Sequence, residues 1–344
     1  MHVIKICNLR KRCLFNSAYG ATGSQYFRFY DLRLALAVTT SGKLSIRWIE
    51  NKLNIFMNNF LKTEKDYVIA SDTDSIYMNL GPLVNKVYGK VSETNKVIDF
   101  MDNVCEQKIQ PYIDKSYQEL ADYVHAYEQK MQMKREALSD KGIWTAKKRY
   151  ILNVYDNEGV RYKDPQLKVM GLEMIKSSTP SIIRNKMKET IEIIIRKSES
   201  DVQDYIFNLR NEFKKLPIED ISFPRGVNGL TKYSNSSTVY EKGCPIHVKG
   251  SLLYNKLIKD LNLESKYEKI KEGDKIKFTY LKLPNPIKDS VISFPIVFPK
   301  EFSLDKYVDF DVQFEKTYLE PVKGILDCIG WKAERINSLD DFFS

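Results

Sequence analysis

Residues 67–78 read Tyr67-Val68-Ile69-Ala70-Ser71-Asp72-Thr73-Asp74-Ser75-Ile76-Tyr77-Met78. Two apolar, β-prone runs enclose a polar centre, so the segment is predicted as a β-hairpin with its tip at Asp72-Thr73-Asp74-Ser75. Two carboxylates two positions apart point the same way along an extended chain. Held close, they repel unless a cation lies between them. Hard oxygen ligands at such a site suit Mg²⁺, which takes substrate phosphate oxygens and water as its other ligands. A pair of such ions can activate a hydroxyl nucleophile and steady a leaving phosphate. The same four residues also read as a polar turn with solvated aspartates, so a second motif has to decide.

Working outward, residues 31–62 predict one long helix, with Leu34, Val38, Leu44, Trp48, Ile49, Leu53, Phe56 and Phe60 near helical period. Residues 94–125 read as helical. Residues 149–162 predict a hairpin around Asp156-Asn157-Glu158-Gly159. Thr179 is placed to cap a helix with Pro180 at its first position, running to about Arg196, and a further helix follows from Asp201 to Lys215. Glu272-Gly273-Asp274-Lys275 is a turn leading into a short alternating strand at Ile276, Phe278 and Tyr280. Residues 4–16 look like a basic, helix-compatible segment with no lead-in strand. A chain that opens in mid-helix suggests a first half lying elsewhere. The fold class expected is α+β.

The 344 residues suit about two domains. Lys and Arg number 54 against 45 Asp and Glu, a formal charge of +9. That balance suits a polyanionic partner without requiring one. Cys7, Cys13, Cys105, Cys244 and Cys328 are odd in number and show no paired spacing, as expected of free thiols in a reducing compartment. No apolar run is long enough for a membrane span, and no signal peptide is evident. Cys244 and His247 lack a second pair at metal-ligand spacing and read as structural.

Arg12, Asn16 and Tyr19 are spaced i, i+4, i+7, which sets them on one helical face ahead of Gly20. Arg10 and Lys11 add charge, and a multiply negative transferring phosphate needs such counter-charge. Taken alone, this too reads as a solvated basic face.

Together the two motifs are specific. Arg12-x-x-x-Asn16-Ser17-x-Tyr19-Gly20 followed by residues 67–75 resembles motifs B and C of family B DNA polymerases. The order continues through Lys147-Lys148-Arg149-Tyr150, Lys168-Val169-Met170-Gly171-Leu172-Glu173, Lys176-Ser177-Ser178-Thr179-Pro180 and Cys244-Pro245-x-His247-x-x-Gly250. These segments resemble the C-terminal part of the enzymes of T-even-type bacteriophages. The resemblance implies a right-hand architecture. Residues 1–24 would be the last fingers helix, 25–164 a palm with an antiparallel sheet, 165–337 a mainly helical thumb with small β elements, and 338–344 a sliding-clamp-binding tail. It implies that Asp74 and Asp72 are catalytic and hold two Mg²⁺ ions, with Glu136 beside them. Glu136 otherwise reads as a surface Glu on a loop. Arg12, Asn16, Tyr19 and Gly20 would face the incoming dNTP. Lys147, Lys148, Arg149, Tyr150, Lys168 and Lys176 would follow the primer–template DNA. Residues 141–176 carry eight Lys or Arg against four Asp or Glu, which suits phosphate contacts that read no sequence. Leu339, Phe342 and Phe343 suit a hydrophobic pocket on a sliding clamp, although such a tail can also dock on its own thumb.

Two departures stand out. Arg12 occupies a position where the family usually has Lys, which alters hydrogen-bond geometry. Ala70-Ser71 precede Asp72 where Tyr-Gly is frequent. Motif A, which supplies another metal-site aspartate, has no counterpart here, and neither do the exonuclease and N-terminal domains. Two readings follow: a split polymerase whose N-terminal polypeptide supplies motif A, which the Met1 start suits, or a truncated copy. The missing palm strand and fingers helix should leave apolar surface exposed. The alternative class is a non-catalytic subunit that grips duplex DNA and tethers it to the clamp. Reverse transcriptases also carry paired palm aspartates, but not this ordered set of segments. The implied location is the cytoplasm of an infected bacterial host.

Overall fold

The computed structural model describes residues 3–7, 12–89, 93–235 and 237–335, with the side chains of residues 3–7 and 12–16 left out of that description. The chain divides into two compact units, residues 1–168 and 169–344. The class is α+β, with antiparallel strand pairing.

The first unit is built on a six-stranded sheet. Its strands are β1 (Val3–Cys7), β2 (Val68–Asp72), β3 (Ser75–Asn79), β4 (Lys134–Ala146), β5 (Arg149–Asn157) and β6 (Val160–Met170). They lie in the order β2-β3-β1-β4-β5-β6. Its helices are α1 (Arg12–Thr22), α2 (Leu32–Leu61), α3 (Gly81–Tyr88), α4 (Thr94–Val104) and α5 (Gln110–Tyr123). A π-helical turn at Cys105–Ile109 joins α4 to α5.

The predicted helix over residues 31–62 forms, with the Asp31 side chain capping it through the Arg33 amide and Lys62 closing it in the left-handed region. Ile49, Leu53, Met57 and Leu61, each one helical turn on from the last, are buried against Ile76, Met78 and Leu138 of the sheet. Each is worth roughly 1.5–3 kcal/mol of apolar transfer. Trp48 Nε1 donates to the Ser116 carbonyl at 2.8 Å and fastens α2 to α5. The first half of the same stripe behaves differently. Leu34, Val38 and Leu44 are exposed.

One expectation fails. Residues 4–16 are not a continuous helix. Val3–Cys7 is a strand at the centre of the sheet, and the helix starts only at Arg12. β1 pairs with β3 from Val3↔Asn79 to Cys7↔Ser75 and with β4 from Val3↔Ser139 to Cys7↔Lys134. The physical reason is non-local. Val-Ile-Lys-Ile-Cys has β-branched residues at three of its positions, and hydrogen bonding on both edges outweighs a local helical bias. A smaller shift concerns Thr179, which does not cap the next helix. Pro180 holds the N-cap position.

The second unit contains α6 (Ser181–Arg196), α7 (Glu199–Phe213), α8 (Ile218–Ile221), β7 (Phe223–Gly226), α9 (Leu230–Tyr233), β8 (Ser234–Asn235), β9 (Val239–Tyr240), α10 (Ile246–Asp260), β10 (Lys275–Tyr280), β11 (Val291–Phe294), α11 (Phe310–Phe314) and α12 (Glu320–Leu326). β11, β10 and β7 form a three-stranded sheet, and α10 packs on it. Gly250 permits that approach, since a Cβ there would stand 2.5 Å from Ser293 Oγ and 2.8 Å from the Ser293 amide. The His247 carbonyl accepts from the Ser251 and Ser293 hydroxyls in the same place. The Cys244-Pro245-x-His247-x-x-Gly250 segment thus builds a helix start and a helix-on-sheet contact.

A side chain of α2 also sets where the first hairpin begins. Asn54 Oδ1 accepts from the Tyr67 amide at 2.8 Å and the Val68 amide at 3.0 Å. Replacing Asn54 with Ala leaves these amides unsatisfied at the start of β2. We expect Asn54→Ala to lower unfolding free energy by about 1–3 kcal/mol in urea melts, and a change below ~0.5 kcal/mol would show that water satisfies both amides instead.

Candidate active site

Asp72 closes β2 and Ser75 opens β3, so Thr73 and Asp74 form the tip of the predicted hairpin. The Asp74 amide donates to the Asp72 carbonyl at 2.6 Å, and Ser75 Oγ donates to the same oxygen at 3.2 Å. This tight turn forces Thr73 to φ +54°, an uncommon backbone conformation for a β-branched residue. Strain of that kind is held in place by its surroundings and concentrates at sites with a task. Both aspartates are partly exposed.

The β4–β5 turn carries Lys147 and Lys148, both exposed. Lys148 adopts φ +63°, and its Nζ lies 3.4 Å from Asp72 Oδ1. An ion pair this exposed contributes little to stability. Its value here is positional, since it sets the basic turn beside the acidic tip. The underside is firm. Tyr77, Ala137, Tyr150, Leu152 and Val154 form a buried cluster, with Tyr77 and Tyr150 ring centroids 5.2 Å apart. Burial, then the Tyr150 hydroxyl, push the Tyr77 phenol well above its usual range. Tyr150, expected along a duplex, is itself buried in this cluster.

Glu136 does not sit on a loop. It lies in β4 at the β1–β4 irregularity, is buried, and accepts from Lys168 Nζ at 2.7 Å. Lys168 also donates to Asn157 Oδ1 at 3.2 Å, so a residue expected on DNA is engaged inside the unit. The rows Ser75–Cys7–Lys134 and Ile76–Ile6–Arg135 place this part of β4 two strand spacings, about 10 Å, from the hairpin. Among the described residues, no group of three or more His, Cys, Asp or Glu is placed to hold a metal ion. A Mg²⁺ ion needs only one or two protein carboxylates when phosphates and water complete its shell, and the Asp72/Asp74 tip has that donor chemistry.

Arg12 and Asn16 lie on α1, but their side chains are outside the described residues; Tyr19 and Gly20 are exposed on the same helix. β1 ends at Cys7, level with Ser75, so the chain leaves the sheet at the end where the aspartates stand. Five residues onward, Arg12 is at most ~18 Å from Cys7. Lys176, in the second unit, pairs with Glu173 at 3.0 Å. Arg149 is partly buried. Leu339, Phe342 and Phe343 lie outside the described residues.

Sequence reading missed the network behind Glu136. Asp156, nearly fully buried, accepts from Arg135, from Arg161 Nε at 3.2 Å and from the Gly159 amide at 3.0 Å. Arg135 and Arg161 also reach Asp102 and Asp99 of α4 at 2.9 and 2.8 Å. Gly159 and Arg161 are near Asp156 in sequence, but Arg135, Asp99 and Asp102 are too far away for a local pattern to reveal them. The cluster clamps the β5–β6 turn and α4 to β4.

A family profile described as Divergent Family B DNA polymerase matches residues 44–212, which include the hairpin, Glu136 and the basic turn. The DNA-directed DNA polymerase of Enterobacteria phage T4 is 36% identical over 349 residues, covering 97% of this chain. That of Escherichia phage RB69 shows the same identity and coverage. The chain spans 38% of the length of each of these curated relatives.

Burial pushes the Asp156 carboxyl upward, but the Arg135 guanidinium, with Gly159 and Arg161, outweighs burial and leaves it below its ordinary value. A carboxylate lowered in the folded state stabilises above its unfolded pKa, about 3.9, and that contribution is lost as pH falls through the lower folded value. Asp156→Ala removes the buried partner that Arg135 and Arg161 share and leaves them only Asp102 and Asp99, so it should cost about 1–3 kcal/mol at pH 7 in urea melts. The difference between the two proteins should shrink steadily below pH 4, and a pH-independent difference would count against the ion cluster as its source.

Proposed function

Because this chain resembles, over nearly its whole length, the C-terminal part of a family B DNA polymerase of T-even-type bacteriophages, we propose that it forms part of a DNA-directed DNA polymerase and carries one portion of the nucleotidyl-transfer site. The observation that carries this reading is the 3.4 Å contact between Lys148 and Asp72, which sets a basic turn beside a paired-carboxylate tip.

In this reading Asp74 and Asp72 hold Mg²⁺, two ions in the completed site, with Glu136 behind them. The ions supply charge neutralisation on the triphosphate and activation of the primer hydroxyl. The protein's own residues do the rest. Arg12 and Asn16 face the dNTP, and Tyr19 and Gly20 border the nascent base pair. Lys147, Lys148 and Arg149 bind duplex phosphates, a contact that weakens with salt and reads no sequence. Lys168 and Lys176 add positive charge, and Tyr150 supports the turn from below. The first unit is the palm with the end of the fingers. The second is the thumb, and its last residues, Leu339, Phe342 and Phe343, meet a sliding clamp. The site of action is the cytoplasm of an infected bacterium. Among the described residues no helix is long and apolar enough to cross a membrane.

The missing motif A carboxylate comes, in this proposal, from an N-terminal polypeptide that also carries the exonuclease. The surface of the first unit supports such a partner. Tyr26, Phe29, Leu32, Leu34, Leu36 and Val38 are all exposed, at 54–91% of their full surface. On α2 these side chains fall in two rows, Leu32 with Leu36 and Leu34 with Val38, and so many large apolar side chains exposed near one helix start suit an interaction surface.

The split site is tested by primer extension with Mg²⁺ and dNTPs. We expect no synthesis by the chain alone, synthesis when a polypeptide with the upstream motifs is added, and a loss of at least 100-fold with Asp74→Asn. Robust synthesis by the chain alone would refute the need for a partner. Unimpaired synthesis by Asp74→Asn would instead favour the non-catalytic, duplex-gripping alternative. A second variant, Leu36→Glu with Val38→Glu, should abolish complementation in the mixing assay while leaving circular dichroism unchanged, because both side chains already face water.

A further inference from the structure

The outer side of α7 carries a groove unrelated to the carboxylate hairpin. Its volume is about 540 Å³, within the roughly 300–1,000 Å³ range of ligand-sized clefts. One wall is α7, through Asp204, Ile206, Phe207 and Arg210, and the other is the segment around Ala333. Ile206 and Ala333 form a buried apolar floor, whereas Phe207 stands 67% exposed at the rim. An exposed Phe above a buried floor is incomplete packing.

The far wall is held firmly. Gln203 donates to the Lys332 carbonyl at 3.1 Å, and the Lys332 amide donates to Glu199 at 2.6 Å. Arg210 pairs with Glu334, and Arg335 pairs with Asp204 at 2.6 Å. The groove is therefore present before anything enters it, and an occupant would not have to pay the cost of forming it.

We propose that the occupant is residues 336–344 of this same chain, with Phe342 or Phe343 seated beside Phe207. Three observations favour this segment over a foreign partner. Arg335 is part of the wall, so the segment starts at the rim. Phe342 is seven positions on from Arg335, an extended reach of roughly 23–25 Å, ample for doubling back. The composition is complementary. Leu339, Phe342 and Phe343 match the apolar floor, while Asp340 and Asp341 would exchange with Glu334 and Asp204 as partners of the Arg210 and Arg335 guanidiniums at the rim. Tethering raises the local concentration into the millimolar range, so even a weak contact is populated.

Docking in cis makes the tail a gated ligand. A partner that binds Phe342 and Phe343 has its affinity reduced by the fraction of tail that is undocked. The seating does not depend on polymerase activity; only its effect on a clamp-like partner rests on the tail reading given above.

The test uses the full chain with a photo-crosslinking benzoylphenylalanine at position 342, irradiated at low micromolar concentration and mapped by mass spectrometry. The expected product is an intramolecular crosslink to residues 203–210 or 333–335, reduced at least fivefold by Phe207→Glu. Phe207 is largely exposed, so this variant should keep its fold, as checked by circular dichroism. A second readout is chymotryptic cleavage after Phe342 and Phe343 in the unlabelled protein, which Phe207→Glu should accelerate severalfold. Crosslinks elsewhere, crosslinks only between copies, or yields and cleavage rates unchanged by Phe207→Glu would each overturn the proposal.

Discussion

The first unit depends on the hydrogen bonding of β1 to both of its neighbours. The hairpin β2–β3 lies on one side of it and the β4–β5–β6 meander on the other. Every backbone hydrogen bond that joins those two parts of the sheet passes through five residues, Val3–Cys7. The hairpin brings Asp72 and Asp74, and the meander brings Glu136 and the Lys147–Lys148 turn. The distances between these groups are set by strand spacing, which varies little. The apolar cluster of Tyr77, Ala137, Tyr150 and Leu152 is assembled from both sides of β1 in the same way.

Most local elements were legible in the sequence because local chemistry decides them. The alternation around Asp72-Thr73-Asp74-Ser75 announces a hairpin, and the Asp156–Gly159 turn announces another. The α2 helix is announced by its period and begins where Asp31 can cap it. The failures share a physical cause. β1 was missed because a five-residue strand with Lys5 at its centre has little signal of its own, and its stability comes from partners about 70 and 130 positions away. Periodicity gave the apolar stripe of α2 but not which half is covered, since that depends on what packs against it. The Asp156–Arg135–Arg161 cluster was invisible for the same reason. At the candidate site, residue types and order were legible, whereas the burial of Tyr150 and the engagement of Lys168 by Glu136 needed coordinates.

Two features of the first unit point in the same direction. The Asp72/Asp74 tip supplies two carboxylates but no third acid is grouped with them among the described residues. The loop before α2 and the first turns of α2 present large apolar side chains to water. In the proposed reading a further carboxylate completes the first, and a partner covers the second. A single additional polypeptide would answer both, which is why the reading of a shared active site joins observations that would otherwise need separate explanations. The positive φ at Thr73 sits at the same tip, between the two aspartates.

The place of β1 in the sheet also bears on how the protein is made. Synthesis runs at roughly 5–20 residues per second. The 127 positions between Cys7 and Lys134 therefore correspond to roughly 6–25 s during which β1 exists without its second neighbour. Helices α2 to α5 form within microseconds of emerging, and β2–β3 can close as a local hairpin, but the sheet cannot be sealed until β4 arrives. For that interval the ribosome carries a chain with an unpaired strand and an open hairpin edge, the combination most prone to pairing with the wrong chain. Non-local pairing of this kind slows the closing of a sheet, and here it falls on the strand that joins its two halves.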